Sequence, residues 1–206
     1  GPTRLRKALA LSLNLVSVRL LRAITPEYAV EYMERFGFNP AKLPKNLSLT
    51  LGTADATPMQ MASAFAVFAN GGYRIEPYLI ARIEDAKHNI LEQANPIVVC
   101  PGCPVSKSND TAKPAHRYAE QAITAQNSFL MTSILRDTIS YGTAQAANVL
   151  NRKDLAGKTG TTNDHRDAWF NGFNSDLVAI SWVGFDRNLP LGKGETGGRA
   201  ALPMWI

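Results

Sequence analysis

The run Ala156-Gly157-Lys158-Thr159-Gly160-Thr161-Thr162 lies inside a strand-like stretch over residues 154–162, and two more such stretches follow it, 167–173 and 176–185. Asn163-Asp164-His165 and Asn174-Ser175 separate them, and these are residues that favour turns. Three consecutive strands with short connections predict an antiparallel sheet. Everything upstream reads mostly as helix. Helices first and strands last give an α+β fold with helices against an antiparallel sheet, not an alternating βαβ one.

Working back from the strands, residues 125–141 have helical spacing at Phe129, Ile134, Leu135 and Ile139. Residues 93–124 differ in kind. Pro96, Pro101, Gly102, Pro104 and Pro114 fall among Ser, Asn, Asp and Lys, which predicts an exposed insertion loop. Residues 73–91 are richer in β-formers and predict a strand pair turning near Lys87-His88-Asn89. Thr57-Pro58 opens a helix through Phe68, stopped by Asn70-Gly71-Gly72. Asn39-Pro40 and Leu43-Pro44 mark a loop. Thr25-Pro26-Glu27 opens another helix, ending at Gly37 after Phe36. Over residues 3–23, Leu5, Leu9, Leu13, Val16 and Leu20 recur at helical steps. No internal repeat is visible.

Composition excludes several classes. At 45% hydrophobic and 19% charged over 206 residues, the chain can bury a core and is not a disordered polymer. A net charge of +5 suits an anionic partner without selecting one, and no groove-reading motif suggests nucleic acid. The longest apolar stretch, residues 8–21, is interrupted by Ser12, Asn14, Ser17 and Arg19 and falls short of the roughly 20 residues a membrane span needs. The two cysteines, Cys100 and Cys103, leave three readings: a loop-stapling disulfide or inert thiols, a metal site, or a redox pair. Zinc would need two more ligands; no second pair exists, and the spacing of His88 and His116 fits no finger. A redox motif belongs where a strand meets a helix, whereas prolines flank this pair. The first reading is favoured, and its disulfide form requires an oxidising compartment.

Lys158-Thr159-Gly160 carries the chemistry. It is not a phosphate-binding P-loop, because Arg152 stands where that motif needs glycine and a strand follows, not a helix. On an edge strand, Lys158 offers a fixed cation and Thr159 and Thr161 offer hydroxyls. Gly160 removes a side chain, so another backbone can approach and add as a strand. That layout suits a peptide ending in a carboxylate. Upstream, Ser12-Leu13-Asn14 places two polar side chains about 200° apart on an unbroken helix. Either both are ordinary polar helix positions, or they converge at a break. The second reading predicts two helices split around residues 12–14.

Lys-Thr-Gly and Ser-x-Asn are the last two of three elements, after Ser-x-x-Lys, in the penicillin-recognising serine enzymes. Residues 3–22, the block from Leu51-Gly52 through Thr57-Pro58 to Ala69-Asn70-Gly71-Gly72-Tyr73, and residues 156–162 with Asp167-Ala168-Trp169-Phe170 and Gly172-Phe173 closely resemble the transpeptidase domain of class A penicillin-binding proteins. These are the bifunctional peptidoglycan synthases of the bacterial envelope. The resemblance covers nearly the whole chain and fails only over residues 93–124. It implies the penicillin-binding-protein/serine β-lactamase-like fold. It also implies acyl transfer from the D-Ala-D-Ala end of peptidoglycan stem peptides, acylation by β-lactams, and no cofactor or metal.

Carried over to this sequence, Ser12 relays a proton towards the leaving amine and Asn14 holds the substrate amide. Lys158 keeps that network polarised and draws in the carboxylate, which Thr159 and Thr161 hydrogen-bond. The backbone N–H of Thr161, beside Gly160, forms one side of the oxyanion hole. Trp169 and Phe170 are expected as core or wall, His165 as a loop residue, and Arg4, Arg6 and Lys7 as a solvated helix face. The departure is the nucleophile: none of the eleven serines has lysine three positions later. The expectation is the C-terminal part of a transpeptidase domain, inactive alone. Its Ser-x-x-Lys segment, glycosyltransferase domain and membrane anchor would lie upstream, and the whole enzyme would face the periplasm. The missing N-terminal part would leave apolar surface for another polypeptide or copy to cover. Two rivals remain. One is a D,D-carboxypeptidase or β-lactamase-like hydrolase, although the acids of residues 27–34 fall in a helix and not in a water-ordering loop. The other is a non-catalytic interaction module.

Overall fold

In the computed structural model, which describes residues 1–103 and 116–206, the stretch 3–23 forms two helices, α1 (Leu5–Ala10) and α2 (Asn14–Ile24). Ser12 sits between them at φ 52°, in the left-handed region that side chains other than glycine seldom enter. Leu13 N–H closes the first helix by donating to Ala8 O at 2.9 Å. The later helices start where hydroxyl caps stand. Thr25 accepts from Tyr28 N–H ahead of α3 (Pro26–Met33), which passes through the 3-10 turn Glu34–Phe36 and stops at Gly37, φ 92°. Thr57 and Gln60 form a reciprocal capping box at the start of α4 (Pro58–Ala69). Thr124 caps α5 (Ala125–Ser140).

Between α4 and α5 the described residues form six short strands: β1 (Tyr73–Arg74), β2 (Arg82–Glu84), β3 (Ile90–Gln93), β4 (Ile97–Val98), β5 (Arg117–Tyr118) and β6 (Glu120–Gln121). The pair expected over residues 73–91 is β2 with β3, antiparallel around a turn in which the Asp85 carboxylate accepts from the N–H groups of Lys87 and Asn89. Tyr73 and Arg74 pair instead with Gln121 and Glu120. The described flanks of the stretch 93–124, expected as an exposed insertion loop, are not all loop or all exposed. Ile97 and Val98 pair in parallel with Arg117 and Tyr118, and Ala119, Ala122 and Ile123 are buried. Gly72 O accepts from both Ala122 and Ile123 N–H, which draws this return segment against α4. Short apolar residues among polar ones hid it in the sequence. Pro104 and Pro114 lie outside the described residues. Cys100 and Cys103 are joined as a disulfide just after β4.

The main sheet follows α5 as β7 (Ala156–Thr161), β8 (Asp167–Phe173) and β9 (Val178–Gly184), antiparallel in that order. The period of two sends alternate side chains to opposite faces. Ala156 and Phe173 meet Leu135 of α5, with Leu9 of α1 and the α4 rings Phe65 and Phe68 alongside. On the other face Phe170 packs with Ile139, Ala144 and Leu202, and its ring lies 5.0 Å from Trp205 of α6 (Leu202–Trp205). Phe170 and Phe173 are both buried, each contributing on the order of 1.5–3 kcal/mol. Helices on one face and a C-terminal helix on the other complete the α+β architecture.

Two contacts fix α1 on this frame. Arg6 is not simply solvated: its guanidinium donates to Asp137 and to Ser133 O, both at 2.9 Å, tying α1 to α5. Gly142, just past α5, lies so close beneath α1 that an added Cβ would stand 2.3 Å from Ala10 O and 2.6 Å from Thr138 Cα. Both are backbone atoms, which cannot swing aside. Gly142→Ala is expected to destabilise the domain by about 1–3 kcal/mol and lower its Tm by roughly 2–12 °C. An unchanged melting curve would show that α1 moves freely over α5.

Candidate active site

The break at residues 12–14 and the far half of β7 form two walls of one cleft. Thr162 N–H donates to Asp167 O, so the even-numbered residues of β7 direct their backbone groups to β8. Residues 157, 159 and 161 then direct theirs to the free edge. Along that edge, Gly157 O accepts from Thr138 Oγ1 of α5 at 2.7 Å, and Thr159 O accepts from Lys158 Nζ at 2.9 Å. Helix α5 thus closes the edge at Gly157 and Lys158 takes up Thr159 O, while the N–H of Thr159 and the backbone of Thr161 lie on the open edge.

The cleft is about 650 Å³ in volume, and it brings together all six residues singled out in the sequence: Ser12, Asn14, Lys158, Thr159, Gly160 and Thr161. Lys158 Nζ donates to Ser12 Oγ, joining residues 146 positions apart in the chain. Asn14, at the first turn of α2, opens onto the same space beside Ser12 and Ser17. Among the described residues no Asp or Glu lines the cleft, and no carboxylate forms an ion pair with Lys158. Burial pushes the Lys158 ammonium down to about 8. A half-buried cation without a counter-charge, beside two hydroxyls, is an anion site in physical terms.

The threonine hydroxyls are themselves held. Thr161 Oγ1 accepts from Gly197 N–H at 2.9 Å, and Thr159 Oγ1 lies 2.6 Å from Thr143 Oγ1. Gly197 opens the π-helical turn Gly197–Ala201 and lies close on the sheet through its own lack of a side chain: a Cβ on Gly197 would stand 2.4 Å from Gly160 O. A Cβ on Gly160 would stand 3.1 Å from Trp169 Cβ, so this glycine serves packing within the sheet as well. Trp169 packs against Trp182 with the rings tilted, Phe170 is core, and His165 sits in the turn after β7 at φ 52°. Thr143 and residues 196–198 were missed in the sequence. The available signals were Thr196-Gly197-Gly198 and Gly142-Thr143, glycines next to hydroxyls just outside regular elements. Among the described residues no cluster of His, Cys, Asp or Glu could hold a metal, and no helix is long and apolar enough to cross a membrane.

The sequence and the fold are shared with known proteins. A family model described as penicillin binding protein transpeptidase domain matches residues 1–187. The chain belongs to that family. It is 45% identical over 241 aligned positions to penicillin-binding protein 1A of Pseudomonas aeruginosa, and 43% identical over 206 to that of Neisseria lactamica. Each comparison covers the whole of this chain but only 29% and 24% of those proteins, so the chain spans about a quarter of the length of the relatives it matches. The crystal structure of penicillin-binding protein 1A from Haemophilus influenzae superposes with a TM-score of 0.90 at 37% identity, over all of this chain and 33% of that one. The fold is that of penicillin-binding-protein transpeptidase domains.

The lysine of this cleft makes a titration test direct. Its folded pKa lies below the unfolded value of 10.5, so the charged form is disfavoured by folding. Stability should rise as pH climbs from about 8 to 10.5, where the unfolded chain holds the proton and the folded one has lost it. NMR of labelled lysine should show one Cε resonance titrating near pH 8 that is missing in Lys158→Met, and the variant should lose this contribution to the rise in stability. A Lys158 that titrates with the surface lysines would refute the desolvation argument.

Proposed function

We propose that this chain carries two of the three catalytic motifs of a serine D,D-transpeptidase, as part of a class A, peptidoglycan-synthesising penicillin-binding protein. The observation that supports this reading best is the contact of Lys158 Nζ with Ser12 Oγ in an acid-free cleft beside an open strand edge. The substrate is the D-Ala-D-Ala end of a stem peptide, laid along β7 with its carboxylate at Thr159 and Thr161 and its charge facing Lys158.

The nucleophile is the serine of a Ser-x-x-Lys motif outside these 206 residues. Its Oγ attacks the carbonyl carbon between the two D-alanines, and the developing oxyanion meets the Thr161 N–H, which faces the free edge. As the C–N bond breaks, the leaving D-alanine amine takes up the proton that the serine gave up, relayed through Ser12. Lys158 holds Ser12 for that transfer, and Asn14 holds the substrate amide. The amine of a second stem peptide then attacks the ester, loses a proton to the same network, and restores the serine. A β-lactam enters the first step, but its opened ring keeps the amine on the acyl group.

β-Lactam complexes of proteins that share this fold support the penicillin-binding part of this reading. Solved structures include one of PonA1 of Mycobacterium tuberculosis in complex with penicillin V, 24% identical, and a penicillin G acyl-enzyme complex of its penicillin-binding protein A, 20% identical. At that identity the likeness is one of fold. The Cys100–Cys103 disulfide suits an extracytoplasmic, oxidising location, with the polypeptide anchored by a segment outside these residues.

Intact mass spectrometry with benzylpenicillin tests the reading. The 206-residue chain alone should gain no adduct, whereas a mixture with the Ser-x-x-Lys segment should gain one on that segment only. In the full-length polypeptide Lys158→Met should slow acylation by about 10²–10⁴. An adduct on this chain by itself would make Ser12 or another of its serines the nucleophile and overturn the assignment.

A further inference from the structure

Thr159 and Thr161 lie on the same face of β7, two residues apart, and each hydroxyl has a neighbour behind it. A hydroxyl has one proton to donate and two lone pairs to accept with. At Thr161 the neighbour is Gly197 N–H, which can only donate. The Thr161 proton is therefore turned away from Gly197. At Thr159 the neighbour is Thr143 Oγ1 at 2.6 Å, where either oxygen can be the donor. Once a carboxylate occupies the cleft, the Thr159 proton has an anion to meet. The 2.6 Å contact then survives only with Thr143 donating to Thr159.

Thr143 is held for this by its main chain, not by its hydroxyl. Its N–H donates to Ala10 O at 3.1 Å, and Gly142 before it is pressed against the same carbonyl. The side chain thus stands at a fixed point between the end of α1 and β7. We propose that Thr143 is a positioning residue for carboxylate recognition: it donates to Thr159 Oγ1 and so commits the Thr159 proton to the substrate's carboxylate. The pair acts as a two-step donor chain, strengthened when the anion polarises it. The inference rests on the transpeptidase reading above, because that reading supplies the carboxylate.

The test measures second-order acylation rates of the full-length polypeptide with benzylpenicillin and with its carboxyl methyl ester, for the wild type, Thr143→Val and Thr143→Ser. Valine keeps the shape and the N–H bond to Ala10 but removes the hydroxyl. A hydrogen bond to a charged group is strong enough that its disorientation should slow benzylpenicillin by about tenfold. The ester rate should stay within about twofold of wild type, and Thr143→Ser should restore benzylpenicillin. Equal losses with acid and ester would mean a merely structural role and overturn the inference, as would no loss with either. Should the valine variant not fold, Thr143→Ala carries the same acid-against-ester comparison. A wild type that neither compound acylates fails differently, since it removes the transpeptidase reading and this inference with it.

Discussion

The cleft depends on a backbone constraint: Ser12 held at positive φ between two helices. A continuous helix through residues 5–24 would send Ser12 and Asn14 to different sides, and Lys158 would reach into solvent. The break lets one lysine, half-buried and without a counter-charge, rest on a hydroxyl that a different third of the chain provides. That arrangement costs stability twice, once for the left-handed serine and once for the desolvated ammonium. The packing under it, Arg6 to Asp137 and Gly142 beneath Ala10, keeps α1 from relaxing away. Stability is spent on geometry here, as it commonly is at sites that act on a ligand.

Charge in the cleft follows from what is left out as much as from what is there. Among the described residues no acid lines it, so an approaching anion meets Lys158 uncompensated, and the hydroxyls of Thr159 and Thr161 add direction to that attraction. Backbone groups add more: the N–H groups of residues 159 and 161 face the open edge, where they can pair with a bound strand. Main-chain groups on the open edge and the charged or hydroxyl side chains are thus separate atoms of one six-residue strand.

Much of this was legible in the sequence where local chemistry dictates structure. The caps at Thr25 and Thr57, the stop at Gly37 and the three C-terminal strands follow from residue types at fixed offsets. The helix break was legible only because Ser12 and Asn14 had to converge; nothing in residues 11–13 breaks a helix on propensity alone. Pairings between distant short segments were not legible. Tyr73 with Gln121, and Ile97 with Arg117, involve two-residue strands too brief to show a period. Thr143 and Gly197 escaped for a related reason. Their importance comes from what tertiary folding puts beside them, namely Thr159 and Thr161, and neither lies in a pattern of its own.

The contact of Thr138 with Gly157 O has a geometric consequence. A strand edge open at both ends can seat the middle of a long chain, which simply runs past on either side. This edge is stopped at one end by the body of α5. A guest pairing with residues 159 and 161 runs into that helix if it continues, so it must finish or turn away there. The groove is a cul-de-sac, suited to reading the tip of a polymer and blind to its interior.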